Sequence, residues 1–141
     1  MKKFLIFILC IAILAGCNTV VDEGVTTPIT IDFAGDNLDD ALHFVDDTVP
    51  YTNYDVIFTT DTTVKDFKVL EMDETEKLEV GKTLFCLYEF TPEMSFAVST
   101  YINDATINRG ISYVDQNGEE HIFSIVVSMK DSSISLKEFK E

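Results

Sequence analysis

Hydrophobic positions along the chain fall into three regimes. Phe4–Ala15, "FLIFILCIAILA", is apolar throughout. Within "DNLDDALHFVDD", Asp36–Asp47, the residues Leu38, Ala41, Leu42 and Val45 recur at i, i+3, i+4 and i+7. That spacing gathers side chains on one side of an α-helix. From Tyr51 onward the period shortens to two, as a strand requires, because successive side chains of an extended chain point to opposite faces.

These patterns predict the elements. "ITIDF" (29–33) alternates as a strand. The stretch 36–47 follows as one short helix, with Asp36 or Asn37 capping its first N–H groups and Asp39 and Asp40 at the favourable end of its dipole. Asp46 and Asp47 lie at the unfavourable end, and Pro50 closes the segment. Strands are then predicted at "YDVIFTT" (54–60), "DFKVLEM" (66–72), "TLFCLYEF" (83–90) and "SFAVSTYI" (95–102). "TLFCLYEF" is nearly all apolar, the pattern of a central strand covered on both faces. "GISYVD" and "EHIFSIVVSM" flank "QNGE", and an Asn-Gly pair between two strands marks a hairpin. "SISLKEF" (133–139) is the last strand. About eight strands with short connections imply antiparallel order, since parallel neighbours need long crossovers. The expected fold is mainly β, an antiparallel β-sandwich (Ig-like or related) with one short N-terminal helix. A small α+β domain is the alternative.

The first apolar run belongs outside this fold. Lys2 and Lys3 precede it, and its length falls short of the roughly 20 residues a spanning helix needs. A positive start, a brief apolar middle and small residues at the boundary describe a secretory signal peptide. "LAGC", Leu14–Cys17, resembles the lipobox of bacterial lipoproteins. The resemblance covers the first seventeen residues. It implies that the Cys17 thiol receives a diacylglyceryl group and that a peptidase cuts between Gly16 and Cys17. Two or more acyl chains, each buried methylene contributing about 0.8 kcal/mol, would hold the protein firmly on a membrane. Asn18 follows the cysteine where the inner-membrane retention signal of some Gram-negative lipoproteins has Asp. The location implied is extracytoplasmic, lipid-anchored in the cell membrane or the outer membrane. The rest of the chain resembles only uncharacterised bacterial lipoproteins, which implies no chemistry.

The organisation read from the chain is therefore a signal peptide over 1–16, a lipidated flexible tether over 17–28 and one β-rich domain over 29–141. Residues 18–28, "NTVVDEGVTTP", carry no sustained periodicity and could extend about 40 Å.

Charge narrows the partners. The chain carries a formal net charge of −15; without the two signal lysines, eight basic residues face 25 acidic ones, a charge of −17. Such a body repels nucleic acid and anionic headgroups, so nucleic-acid binding is excluded as an expectation. Of three cysteines, Cys10 leaves with the signal and Cys17 takes lipid. Cys86 is left alone in an apolar strand, where it is expected to pack as a small hydrophobe.

Candidate chemistry is sparse. His43 and His121 are the only histidines, and both are expected at ordinary solvated positions. Gly-x-Ser-x-Gly, Ser-x-x-Lys and phosphate-cradling glycine loops are missing from the sequence. Arg109, the only arginine, could clamp a carboxylate but more simply makes a surface ion pair. The one metal candidate is Asp39, His43, Asp46 and Asp47, which a helix would place along one side, although such a row is more often a solvated polar face. No catalytic residue and no cofactor are expected. The partners expected are the membrane, through lipid on Cys17, and an envelope protein or ligand. The functional expectation is a membrane-anchored lipoprotein acting as a non-catalytic binding module of the envelope. The alternatives are an envelope hydrolase or metal-dependent enzyme, and a structural subunit of an envelope complex.

Overall fold

The computed structural model describes residues 26–36, 38–73, 79–103 and 107–139. Nine strands run through them: β1 (Ile29–Phe33), β2 (Leu42–Val45), β3 (Tyr54–Thr60), β4 (Val64–Asp73), β5 (Glu79–Phe90), β6 (Phe96–Thr100), β7 (Arg109–Val114), β8 (Glu120–Ser128) and β9 (Ser133–Glu138). All eight predicted strands are present. They form two sheets, one ordered β1-β3-β6-β2 and the other β5-β4-β7-β8-β9.

Alternation along the strands explains why the sheets meet face to face. Ile29, Ile31, Val56, Phe58, Phe96 and Val98 turn inward from the first sheet, and Phe67, Val69, Ile111, Phe123, Ile125 and Val127 from the second. Phenylalanine rings bind the layers. Phe67 lies 5.5 Å from Phe58 and 5.9 Å from Phe96 between ring centroids, both edge-on, and 4.8 Å from Phe90 in its own sheet. Tilted or edge-on contacts of this kind each contribute about 0.5–1.5 kcal/mol beyond the area they bury. At one side β1 lies against β9. At the other β2 lies over β5, with the Phe44 and Phe85 rings 5.1 Å apart.

Three expectations are corrected. The predicted helix is not formed by the described residues of 36–47: a single turn closes where Ala41 N–H donates to Leu38 C=O (3.1 Å), and Leu42–Val45 then extends as β2. Leu42 and Val45, meant for a buried helical face, are 48% and 54% exposed, while Phe44 turns inward. Among the described residues there is no helix, and the fold is mainly β. Second, β2 pairs with β6 in parallel, His43 opposite Ala97 and Val45 opposite Ser99. The crossover this demands is supplied by β3, β4 and β5. Third, β5 is an edge strand rather than a central one, paired only with β4 among the described residues. Leu84, Phe85 and Leu87 pack on the core, Leu84 at a bulge, while Cys86 and Tyr88 point to solvent.

Candidate functional site

The β7–β8 hairpin is organised by one carboxylate. Asp115 N–H donates to Glu119 C=O (2.9 Å) and Gly118 N–H to Asp115 C=O (3.1 Å), closing a three-residue loop in which Gly118 takes φ +79°. A left-handed residue after a tight turn is the usual three-residue solution, and glycine occupies it without a Cβ penalty. Asp115 Oδ1 accepts from the N–H groups of Asn117 (2.8 Å) and Glu119 (3.0 Å). Asp115 Oδ2 lies 2.7 Å from His121 Nε2. The hydrogen bond from His121, then that from the Glu119 N–H, hold the Asp115 carboxyl below its ordinary pKa. Tyr113 stacks on the His121 ring (5.2 Å) and donates its hydroxyl to Thr27 Oγ1 (2.9 Å). Burial, the largest influence, raises the Tyr113 pKa.

One ligand atom from each of Asp115, Glu119 and His121 lies within 4.8 Å of the others. Two carboxylates and an imidazole suit a divalent cation in chemical type. Both Asp115 oxygens are, however, already held by His121 and by the hairpin's own N–H groups. Beside the hairpin an open cleft of about 440 Å³ is lined by Thr26, Thr27, Asp61, Thr62, Asp115 and Asn117, with Pro28 and Val64 as its apolar contacts. In the sequence the trio reads as Asp-x-x-x-Glu-x-His across an Asn-Gly hairpin, a spacing visible in retrospect but common on solvated turns.

The metal candidate drawn from the sequence does not assemble. With β2 extended, the i, i+4 relation that would align Asp39 with His43 is lost, and Asp39 and Asp47 are exposed. Asp46 turns inward and is buried. It accepts hydrogen bonds from Thr48 N–H (3.0 Å), Thr48 Oγ1 (2.6 Å), Thr100 Oγ1 (3.1 Å) and Arg109 Nε (2.9 Å). Burial raises its pKa; the bonds from Thr48 and Arg109 and the guanidinium charge outweigh that and leave it lowered. Arg109 is thus the clamp of a buried carboxylate rather than a surface ion pair: the two side chains are 11% and 1% exposed.

His43 is exposed on β2. Its Nε2 lies 2.6 Å from Ser99 Oγ, and Ser99 donates its hydroxyl to Asp55 Oδ1. The order along the chain of bonds is Asp–Ser–His. A nucleophilic serine needs Asp–His–Ser, with the imidazole taking the serine proton. Here that proton is spent on Asp55, so His43 Nε2 donates to the serine, and Ser99 itself is buried. The grouping ties β2, β6 and β3 together across the outer face of their sheet.

Exposed apolar groups are unevenly placed. Of the seven large hydrophobic residues exposed among the described ones, Leu42 and Val45 lie on β2, and Val80 and Tyr88 on β5. Tyr88 is 73% exposed. None lies on β1 or β9, the strands that close the opposite side.

Residues 1–18, outside the described part of the structure, match the family model described as the prokaryotic membrane lipoprotein lipid attachment site. The protein is a membrane-anchored lipoprotein. No curated protein and no solved structure matches it. The match bears on the anchor of the lipoprotein and not on its body. Cys17 and most of the predicted tether lie outside the described residues. Within the described part of the predicted tether, Thr27 Oγ1 accepts from Ile29 N–H (3.1 Å) and Pro28 C=O from Asp61 N–H (3.0 Å), so the lipoprotein's chain is tied to its body by that point.

Proposed function

We propose that the lipoprotein is acylated on Cys17 after cleavage behind Gly16. Its two-sheet body, a sandwich of the Ig-like or a related class, then serves as a non-catalytic binding module on the extracytoplasmic side of the cell membrane or outer membrane. The observation that carries the binding role is the concentration of exposed apolar side chains on β2 and β5, the edge strands on one side of the two sheets, against none on β1 and β9 on the other. Apolar side chains gathered on neighbouring edge strands offer a partner surface to cover. A lipid anchor keeps the body near membrane-bound or envelope partners, which raises their effective concentration.

Site-specific photo-crosslinking in intact cells tests this. A photoreactive side chain in place of Tyr88 is expected to give a discrete adduct. The same group in place of Val126, exposed on β8, is expected to give none. Equal adducts from both positions, or none from either, would remove the binding role. In parallel, Cys17→Ala is expected to abolish fatty-acid labelling and release the protein from the membrane fraction.

A further inference from the structure

We infer that the free edge of β5 binds an extended, basic segment of a partner protein by strand addition, lengthening the five-stranded sheet to six. This deepens the binding role proposed above and rests on it. β5 runs twelve residues, Glu79–Phe90, with β4 on one side and no strand on the other among the described residues. Along a regular strand alternate N–H and C=O groups point away from its neighbour, so the open edge of Phe85–Phe90 is a template for pairing. Natural edges are usually kept short or crowded with charge. β5 carries Glu79, Lys82 and Glu89 and two bulges against β4 between Val80 and Phe85, but its regular stretch Phe85–Phe90 presents Tyr88 to solvent.

The chemistry of the partner follows from what surrounds this edge. β2 lies over β5 through the Phe44–Phe85 contact. Asp39 and Asp40 precede β2, Asp47 follows it, and Glu89 lies on β5; all four are exposed. A strand laid along β5 would set one row of side chains beside Tyr88 on the outer face and the other, on the side of Phe85 and Glu89, toward β2 and the aspartates at its ends, which selects alternating apolar and basic residues. A second copy of this chain is disfavoured as occupant, because two acidic bodies, each with eight basic against 25 acidic residues, repel.

The probe is a synthetic ten-residue peptide alternating Val and Lys, added to the mature acylated protein in neutral detergent micelles. Hydrogen–deuterium exchange is followed by mass spectrometry. Exchange across 79–90 is expected to slow while that of β9 does not change. Methylating the peptide's backbone nitrogens along one edge is expected to weaken binding at least about tenfold, since several hydrogen bonds are lost together. Raising ionic strength and introducing Tyr88→Lys are each expected to weaken it as well. Binding that ignores methylation, or protection that appears on β9, would overturn strand addition. Self-association through β5 in sedimentation at the same concentrations would overturn the choice of occupant. Adducts at position 88 in cells, with no β5 protection by the peptide, would leave the binding role standing and remove only this mode.

Discussion

Arg109 Nε sits 2.9 Å from Asp46 Oδ2, joining residues 63 positions apart in the chain. The bond fixes the end of β2 to the start of β7, one strand from each sheet. Arg109 Nη2 donates in addition to Thr48 Oγ1 (2.8 Å), so the loop after β2 is held by the same guanidinium.

Removing Arg109 leaves the buried Asp46 carboxylate without its counter-charge. Arg109→Ala is expected to destabilise the fold by about 3–5 kcal/mol, the usual cost of breaking a buried pair. Replacing both, Arg109→Met with Asp46→Leu, is expected to cost clearly less than the sum of the single changes. Urea unfolding of the four proteins in a double-mutant cycle gives the coupling. Additive effects would mean that the pair is energetically idle.

Stability should fall at both ends of the pH scale for identifiable reasons. The folded pKa of Asp46 is lowered, so its contribution is present above the unfolded value of 3.8 and is lost as pH falls through the folded value. The folded pKa of Tyr113 is raised by burial, so its contribution is complete below the unfolded value of 10.0 and is lost as pH rises through the folded one. Unfolding midpoints measured against pH should show a plateau between these limits. Tyr113→Phe is expected to flatten the alkaline limb and Arg109→Ala the acid limb; limbs unchanged by these substitutions would contradict both assignments.

Gly110 is needed for space. A Cβ there would meet Phe123 C=O at 2.5 Å and Met72 Sδ at 2.8 Å. The carbonyl cannot retreat, because Ile111 and Phe123 are paired within the same sheet and buried. Gly110→Ala is expected to cost about 1–3 kcal/mol, the range for overpacking. Gly118→Ala should cost through its φ of +79° instead, with no clash, since open space surrounds it. Melting temperatures of the two variants test the distinction: a silent Gly110→Ala would show that the sheet yields there.

Cys86 should react in the folded protein. It is exposed on an edge strand, so a maleimide reagent is expected to modify it without denaturant. Cys86→Ser should abolish that labelling and change stability by less than about 0.5 kcal/mol, as surface substitutions do. Labelling that requires urea would return Cys86 to the interior.

Phe67 is the opposite case, fully buried and in ring contact with Phe58, Phe90 and Phe96. Phe67→Ala is expected to lose about 3–5 kcal/mol, with the midpoint of urea unfolding as the measure. Tyr88→Ala in the same assay should have almost no effect.

The strands were legible because each carries its own period. "YDVIFTT" sets Val56 and Phe58 on one side whatever else the chain does, and that side became the core. The candidate site was legible only in pieces. The Asn-Gly turn marked the hairpin, but nothing local says that Asp115 would gather two backbone N–H groups and His121.

The sequence by itself determined the anchor, since a short apolar leader ending in "LAGC" acts before any fold exists. It also determined the inward face of most strands, through side-chain alternation. Tertiary structure decided β2, β5 and Asp46. In "LHFV" the helical spacing of Leu42 and Val45 competes with the demand of Phe44 for Phe85 and of Asp46 for Arg109. Those partners lie 41 and 63 positions away, beyond what local spacing can register. Whether the apolar run of β5 is central or at an edge likewise depends on which strands come to lie beside it, and that is a property of the assembled sheets alone.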